Sequence, residues 1–430
     1  MVDGNRHGHG GQSFSFGASL RGKAARGPAE CVRGGPCIVP SNSGRWLSPS
    51  LVGGHGSTGR KAPPRHGKLA GMSIDPGAAA PSLTSRIHGC LLGGALGDSL
   101  GYAVEFDSIE VIRGRFGPAG VTDFAMLDDG SHFSDDTQMT LYTVDGLVEA
   151  LEWANDGVGA DVNACIWLAY LRWLDTQGEP VPSSSPVQPK RWIDGNEVLR
   201  HRRAPGNACI SGLATGEMGT VYRPVNPDSK GCGTVMRSAP FGLIPHIASD
   251  AVYKLSADAA SLTHGHPSAR QSAGGFSLLI HRLVSGDSLQ DAATAVLDEV
   301  RSLKDVAAEL PERIEAAIRC AAAGILSPEE LVQHLGEGWV AEEAFAVGLY
   351  AVLATAPGAD SALSPLDHFR AAIALAVNHS GDSDSTGSIA GNILGAFYGE
   401  ECLPPEWLQA LEAPEVIRGM ANLLVGVTTA

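Results

Sequence analysis

From Ser82 nearly to the C-terminus, apolar residues recur at helical spacing. Over 136–154, Met139, Leu141, Tyr142, Val144, Leu147, Val148 and Leu151 form a broad apolar face. The same periodicity predicts helices over 84–104, 161–175, 250–262, 268–285, 288–303, 305–323, 327–335, 340–355, 365–379 and 386–398. Alternation of Val, Ile and Thr, the mark of a half-buried strand, is almost absent. The pattern predicts a single compact all-α bundle over 81–430.

Two stretches break the pattern. Residues 176–249 carry Pro180, Pro182, Pro186, Pro189, Pro205, Pro224 and Pro227 and read as a long loop. A loop of that length inside a compact domain usually serves a function. Residues 1–80 lack any sustained period and are rich in Gly, Ser, Pro and Arg, so they read as a disordered extension. Met72 opens MSIDPGAAAPS just before the first predicted helix, and translation is expected to begin there.

Glycines punctuate the first and last predicted helices at intervals of four: Gly89, Gly93, Gly97 and Gly101, then Gly387, Gly391, Gly395 and Gly399. Glycine inside a helix costs about 0.5–1 kcal/mol relative to alanine. A four-residue step aligns the glycines on one stripe, where another backbone can come close. Both helices are therefore expected deep in the bundle, packed tightly against neighbours.

Charge sharpens the picture. The net charge is −16, but residues 1–80 carry +7, which leaves −23 on the remainder. An acidic body argues against a nucleic-acid groove and suits clustered carboxylates around a cation. The eight cysteines show no CxxC pair, which points to a reducing, cytoplasmic setting. No apolar run approaches a membrane span, and the N-terminus has no secretory h-region.

Two acidic clusters stand at predicted helix starts: Ser134-Asp135-Asp136-Thr137 and Asp382-Ser383-Asp384-Ser385-Thr386. Taken singly, each suits a helix N-cap. Together they place two carboxylates and a hydroxyl at the same point of two helices. Carboxylates packed so densely repel unless a cation neutralises them. Oxygen ligands without partner Cys or His suit Mg²⁺, Mn²⁺ or Ca²⁺ rather than zinc. If the two helix starts meet, they can hold a two-metal centre. Glu105 is a candidate acid/base, with a surface glutamate the plain alternative. The run Gly231-Cys232-Gly233-Thr234-Val235-Met236-Arg237 has glycines spaced for backbone approach to phosphate. His264 and His266, two apart before Pro267, belong to a helix-to-helix loop, where packing against a ligand is favoured over metal ligation.

Six ordered segments resemble the ADP-ribosylglycohydrolase family. They are GCLLGGALGDSLGYAVEF (89–106), FSDDTQMTLYTVDGL (133–147), APGNACISGL (204–213), GCGTVMRSAPFGL (231–243), LTHGHPSARQSAGG (262–275) and NHSGDSDSTGSIAGNILGAFYG (378–399). The resemblance implies an all-α fold with a binuclear Mg²⁺ or Mn²⁺ cleft that hydrolyses the bond at C1″ of ADP-ribose on a modified protein or small molecule. It implies Ser134, Asp135, Asp136, Asp382, Asp384 and Ser385 as metal ligands, and Glu105, Asp135 and Asp136 as catalytic. It further implies substrate contacts from Asn207, Gly231, Cys232, Gly233, Thr234, Met236 and His264. In the family's dinitrogenase-reductase enzyme an acidic residue precedes the Gly-Asn-Thr segment and meets the substrate guanidinium. Here Ala204-Pro205 stands in that place and Ala208 replaces the threonine, which weakens arginine as the default leaving group. A monomer without membrane or nucleic-acid partners is expected, nucleic acid entering only as a modified substrate. A catalytically silent ADP-ribose binder or a structural, crystallin-like role is the alternative.

Overall fold

The computed structural model describes residues 80–128, 130–187, 189–358 and 363–429. The expectations of a disordered basic extension over 1–80 and of a start at Met72 fall outside these residues, Ala80 apart. No strand forms among the described residues, and the only sheet-like pairing there is a single bridge between Gly231 and Val340. The chain is all-α, as the periodicity predicts.

The helices are α1 (Leu83–Tyr102), α2 (Ile109–Phe116), α3 (Asp135–Asn155), α4 (Val162–Thr176), α5 (Asn207–Ala214), α6 (Ala239–Gly242), α7 (Ser249–Ala260) and α8 (Pro267–Val284). There follow α9 (Leu289–Ser302), α10 (Glu309–Ala323), α11 (Pro328–Leu335), α12 (Ala341–Ala354), α13 (Pro365–Val377), α14 (Ser383–Tyr398), α15 (Pro405–Ala410) and α16 (Pro414–Thr428). Every predicted helix forms. Helices α2, α5, α6, α15 and α16 were not among those predicted. The first four are short, from four to eight residues, too brief for a period to register. The proline-rich stretch is not structureless: it holds α5, α6 and three 3₁₀ turns, at Trp192–Gly195, Glu197–Arg200 and Cys232–Thr234.

Helices α1 and α14 run antiparallel through the core, with Gly89 facing Gly395, Gly93 facing Gly391 and Gly97 facing Gly387. A Cβ placed on Gly387 would lie 2.5 Å from the Gly97 carbonyl oxygen, and one on Gly89 would lie 2.6 Å from that of Gly395. The expected close approach is thus between the two glycine stripes themselves. Asn392 braces the pair, donating from Nδ2 to the Cys90 carbonyl at 2.8 Å. Buried Arg86 closes the far end, donating to the Ala396 and Phe397 carbonyls at 2.6 and 2.8 Å and to Leu283 at 3.1 Å. These carbonyls belong to the last turns of α14 and α8, which lack intrahelical partners. No helix is long and apolar enough to cross a membrane, among the described residues.

Candidate active site

The antiparallel pairing delivers the C-terminal end of α1 to the N-terminal end of α14. Past Tyr102 the chain turns tightly and buries Glu105. One ligand atom each from Glu105, Asp382 and Asp384 lies within 4.8 Å of the others. Asp135 and Asp136, at the start of α3, and Ser385 line the same cleft. The two acidic clusters therefore meet.

Capping explains only part of this. Ser134 is the N-cap of α3, its Oγ accepting from Asp136 N at 3.2 Å. Asp382 occupies the N-cap place of α14, yet its side chain makes no capping bond. Asp135 accepts from Gly206 N at 3.2 Å, which clips the loop before α5 to the start of α3.

Asp98, to which the sequence alone assigns no role, belongs to the site. It is fully buried within α1 and accepts from Ser134 N at 2.9 Å, Thr137 N at 3.0 Å and Thr137 Oγ1 at 2.5 Å. It thereby fixes α3 against α1 and aims the Ser134–Asp136 motif. Its signal was an acid inside a glycine-striped apolar helix, where an unpaired charge would not be tolerated.

Burial, with Asp384 as the next cause, pushes the Asp98 carboxyl up to about 7 against the pull of its Thr137 and Ser134 bonds. Burial and then Asp384, Asp382, Asp135 and Asp98 push Glu105 up to about 10. Asp135, Asp136 and Asp382 are also raised, chiefly by burial. Three buried oxygens, Glu105 Oε2, Asp136 Oδ2 and Asp382 Oδ2, have no hydrogen-bond partner. The residues thus fit a hard divalent cation: crowded carboxylate oxygens, unsatisfied and aimed into one space.

The cleft encloses about 570 Å³, a volume that suits a small-molecule ligand. Its far wall comprises Asn207, Gly231, Cys232, Gly233, Met236 and His264. Cys232 N donates to the Trp339 carbonyl at 3.1 Å, which ties the glycine turn to the segment before α12. Two predicted site residues do not line the cleft. Ser134 is fully buried at its cap, and Thr234 donates to the Ala269 carbonyl at 3.0 Å. His264 and His266 diverge: His266 Nδ1 accepts from Ser268 N and caps α8. At the mouth, Phe106 and Trp339 stack at 6.2 Å between centroids, with Phe106 73% exposed. Arg202 lines the cleft alongside Ala204 and Pro205.

Fold and site together define a protein, helical throughout its described residues, with a cleft lined by buried carboxylates. The sequence signature of the ADP-ribosylglycohydrolase family matches residues 79–430, and the chain belongs to that family. It is accordingly a hydrolase of glycosidic bonds. It is 24% identical to the ADP-ribosylhydrolase ARH3 of Gallus gallus, over 83% of this chain and 98% of that one. It is 25% identical to the ADP-ribosyl-[dinitrogen reductase] glycohydrolase of Rhodospirillum rubrum, over 77% of this chain and 92% of that one. A solved ADP-ribosylglycohydrolase-related protein complex shares the fold, with a TM-score of 0.56 at 23% identity, covering 80% of this chain and 99% of the other.

Proposed function

We propose that this chain hydrolyses the bond at C1″ of ADP-ribose, releasing ADP-ribose from a modified protein or small molecule. The single observation that carries this reading is the set of three unpartnered carboxylate oxygens on Glu105, Asp136 and Asp382 in one cleft. Asp135, Asp136, Asp382, Asp384 and Ser385, which line the cleft, with Ser134 beside them at the α3 N-cap, are the residues that would hold two Mg²⁺ or Mn²⁺ ions. When bound, the ions supply positive charge and Lewis acidity beside the ribose hydroxyls.

The remaining chemistry belongs to the chain. The wall from Gly231 to Met236, with Asn207 and His264, holds the ligand so that C1″ faces Glu105. Attack joins the water oxygen to C1″ as the bond to the leaving atom breaks with its electron pair. Glu105 takes the water proton and then passes it to the leaving atom, so the carboxylate is regenerated. Charge builds on the ribose ring as an oxocarbenium-like state, which the surrounding carboxylates stabilise. Burial, and then the neighbouring Asp384, Asp382, Asp135 and Asp98, raise the Glu105 carboxyl in the metal-free cleft; cations beside it would lower it again and leave it ionised to accept the proton.

The leaving group is read as something other than arginine. Ala204-Pro205 offers no carboxylate to meet a guanidinium, and the adjacent Arg202 on the cleft is already ion-paired with Glu179 at 2.7 Å. The test is release of free ADP-ribose from ADP-ribosyl-serine and ADP-ribosyl-arginine peptides, with Mg²⁺, Mn²⁺ or EDTA. Metal-dependent release from the serine peptide supports the reading. Tight binding of ADP-ribose without release from any substrate would leave a silent binder instead.

A further inference from the structure

Arg237 is 2% exposed, and its partners carry no negative charge. Its guanidinium donates to Thr263 Oγ1 at 2.6 Å and to two sulfurs, Met139 Sδ at 3.2 Å and Cys209 Sγ at 3.3 Å. It also lies over the Tyr170 ring, 4.5 Å from the centroid. Burial pushes the Cys209 thiol up to about 11, so the sulfur stays neutral. A buried charge without a counter-charge is strongly disfavoured, and a hydrophobic residue of similar volume would fill the same space.

Thr263 leads from Arg237 toward the cleft. Its Oγ1 lies 2.8 Å from His264 Nδ1. Arginine can only donate, so it occupies one lone pair of Thr263, whose single hydroxyl hydrogen can be directed at Nδ1. With Nδ1 accepting, the single proton of the neutral ring sits on Nε2. The ring is kept neutral: burial, and then Arg237, pull its pKa down to about 3. Nε2 faces the glycine turn of the cleft wall, where a Cβ on Gly231 or Gly233 would stand 3.3 or 3.4 Å from it.

We propose that Arg237 and Thr263 set His264 as an Nε2–H donor toward the cleft, and that the Arg237 charge acts from behind the Gly231–Gly233 turn as a fixed positive potential for a diphosphate. Arg237 is thus a positioning residue acting through His264. The diphosphate assignment rests on the ADP-ribose reading above, whereas the state of the histidine does not.

Two measurements separate these parts. Long-range proton–nitrogen spectra of the full chain with Mg²⁺ should show His264 protonated at Nε2 and bare at Nδ1, and Thr263→Val should disturb that state. A wild-type ring protonated at Nδ1 overturns the relay. Titration with ADP-ribose and with adenosine, which lacks phosphate, then reads the potential. Arg237→Met should weaken ADP-ribose about tenfold to a hundredfold, leave adenosine unchanged, and be partly restored in Arg237→Lys. Equal weakening of both ligands would make Arg237 merely structural and overturn the proposal. Should Arg237→Met fail to fold, Arg237→Lys and Thr263→Val carry the same ligand comparison. If the wild type binds no ADP-ribose, the reading of the cleft falls and the histidine spectrum alone decides the relay.

Discussion

Replacing Gly93 by alanine tests whether the glycine stripes exist to let two helix backbones touch. A Cβ there would lie 2.5 Å from the Gly391 carbonyl oxygen and 3.2 Å from its carbon, with Phe369 Cε2 at 3.3 Å. Ordinary carbon–oxygen contacts need about 3.3–3.6 Å, so α1 and α14 would have to part by about 1 Å. A carbonyl in a helix cannot swing aside as a side chain can. Overpacking of this kind costs about 1–3 kcal/mol. Loosened Cα–H···O contacts along the stripe add about 0.5–1 kcal/mol each. Alanine's better helix propensity offsets about 1 kcal/mol. The net loss is about 2 kcal/mol. The family domain spans residues 79–430, and a chain of that length unfolds with an entropy of about 0.7 kcal/mol per kelvin. Tm should therefore fall by about 3 K. Gly114 in α2 is the internal reference, because a Cβ there meets nothing within 4 Å. Gly114→Ala should gain about 0.5–1 kcal/mol and raise Tm by about 1 K. Calorimetric melts of both variants beside the wild type decide it. A Gly93→Ala protein as stable as the wild type would refute the close-packing account.

Glu105→Gln keeps the shape of the side chain and removes its basicity; kcat should fall about 10²–10⁴-fold with ADP-ribose affinity retained, as stopped assays and titration will show. Asp98→Asn removes the charge that accepts from Ser134 and Thr137; Mn²⁺ affinity should drop about 10–100-fold, measured by calorimetric titration. The metal-free protein should become less stable as pH rises. Asp98 and Glu105 have folded pKa values raised to about 7 and about 10, above their unfolded values, so the folded state binds more protons in that window. Their contribution is full at low pH and is lost as pH climbs through the folded values. Cations bind only the ionised carboxylates, so the Tm gain from saturating Mn²⁺ should grow from about pH 6 to about pH 8, and melts showing the opposite trend would count against a carboxylate metal site.

Much of this was legible in the sequence, and the limits have physical causes. Most long amphipathic helices announce themselves by period, and α3, α8 and α12 lie within about a residue of their predicted bounds, although the fifteen-residue α16 was missed. Short helices such as α5 depend on tertiary contacts that no local pattern encodes. The acidic clusters stood out because they repeat one arrangement at two helix starts. Their meeting could not be read from spacing, since it depends on which helices pair. The role of Asp98 was not legible because it is to accept from a backbone distant in sequence. Arg237 escaped for a related reason: an arginine in a loop motif suggests an exposed anion ligand, whereas here it is buried among Met139, Cys209, Tyr170 and Thr263.

The glycine stripes and the acidic clusters are two halves of one device. An antiparallel pair with side chains at the contact sits at roughly 8–10 Å between axes; glycines on both helices let the axes come closer. That approach sets the end of α1, with Asp98 and then Glu105, directly against the start of α14, with Asp382 and Asp384. A wider spacing would separate Glu105 from Asp382 and Asp384, whose ligand atoms now lie within 4.8 Å of one another. Were these acids ionised without a cation, their repulsion would drive the helix ends apart. The backbone contact at Gly93 and Gly391 and the Asn392 brace hold them together from the far side. The bundle therefore holds close together carboxyls that burial keeps protonated and that a bound cation would ionise, which is why Gly93→Ala, some way along the helix from any carboxylate, should weaken Mn²⁺ binding as well as lower Tm.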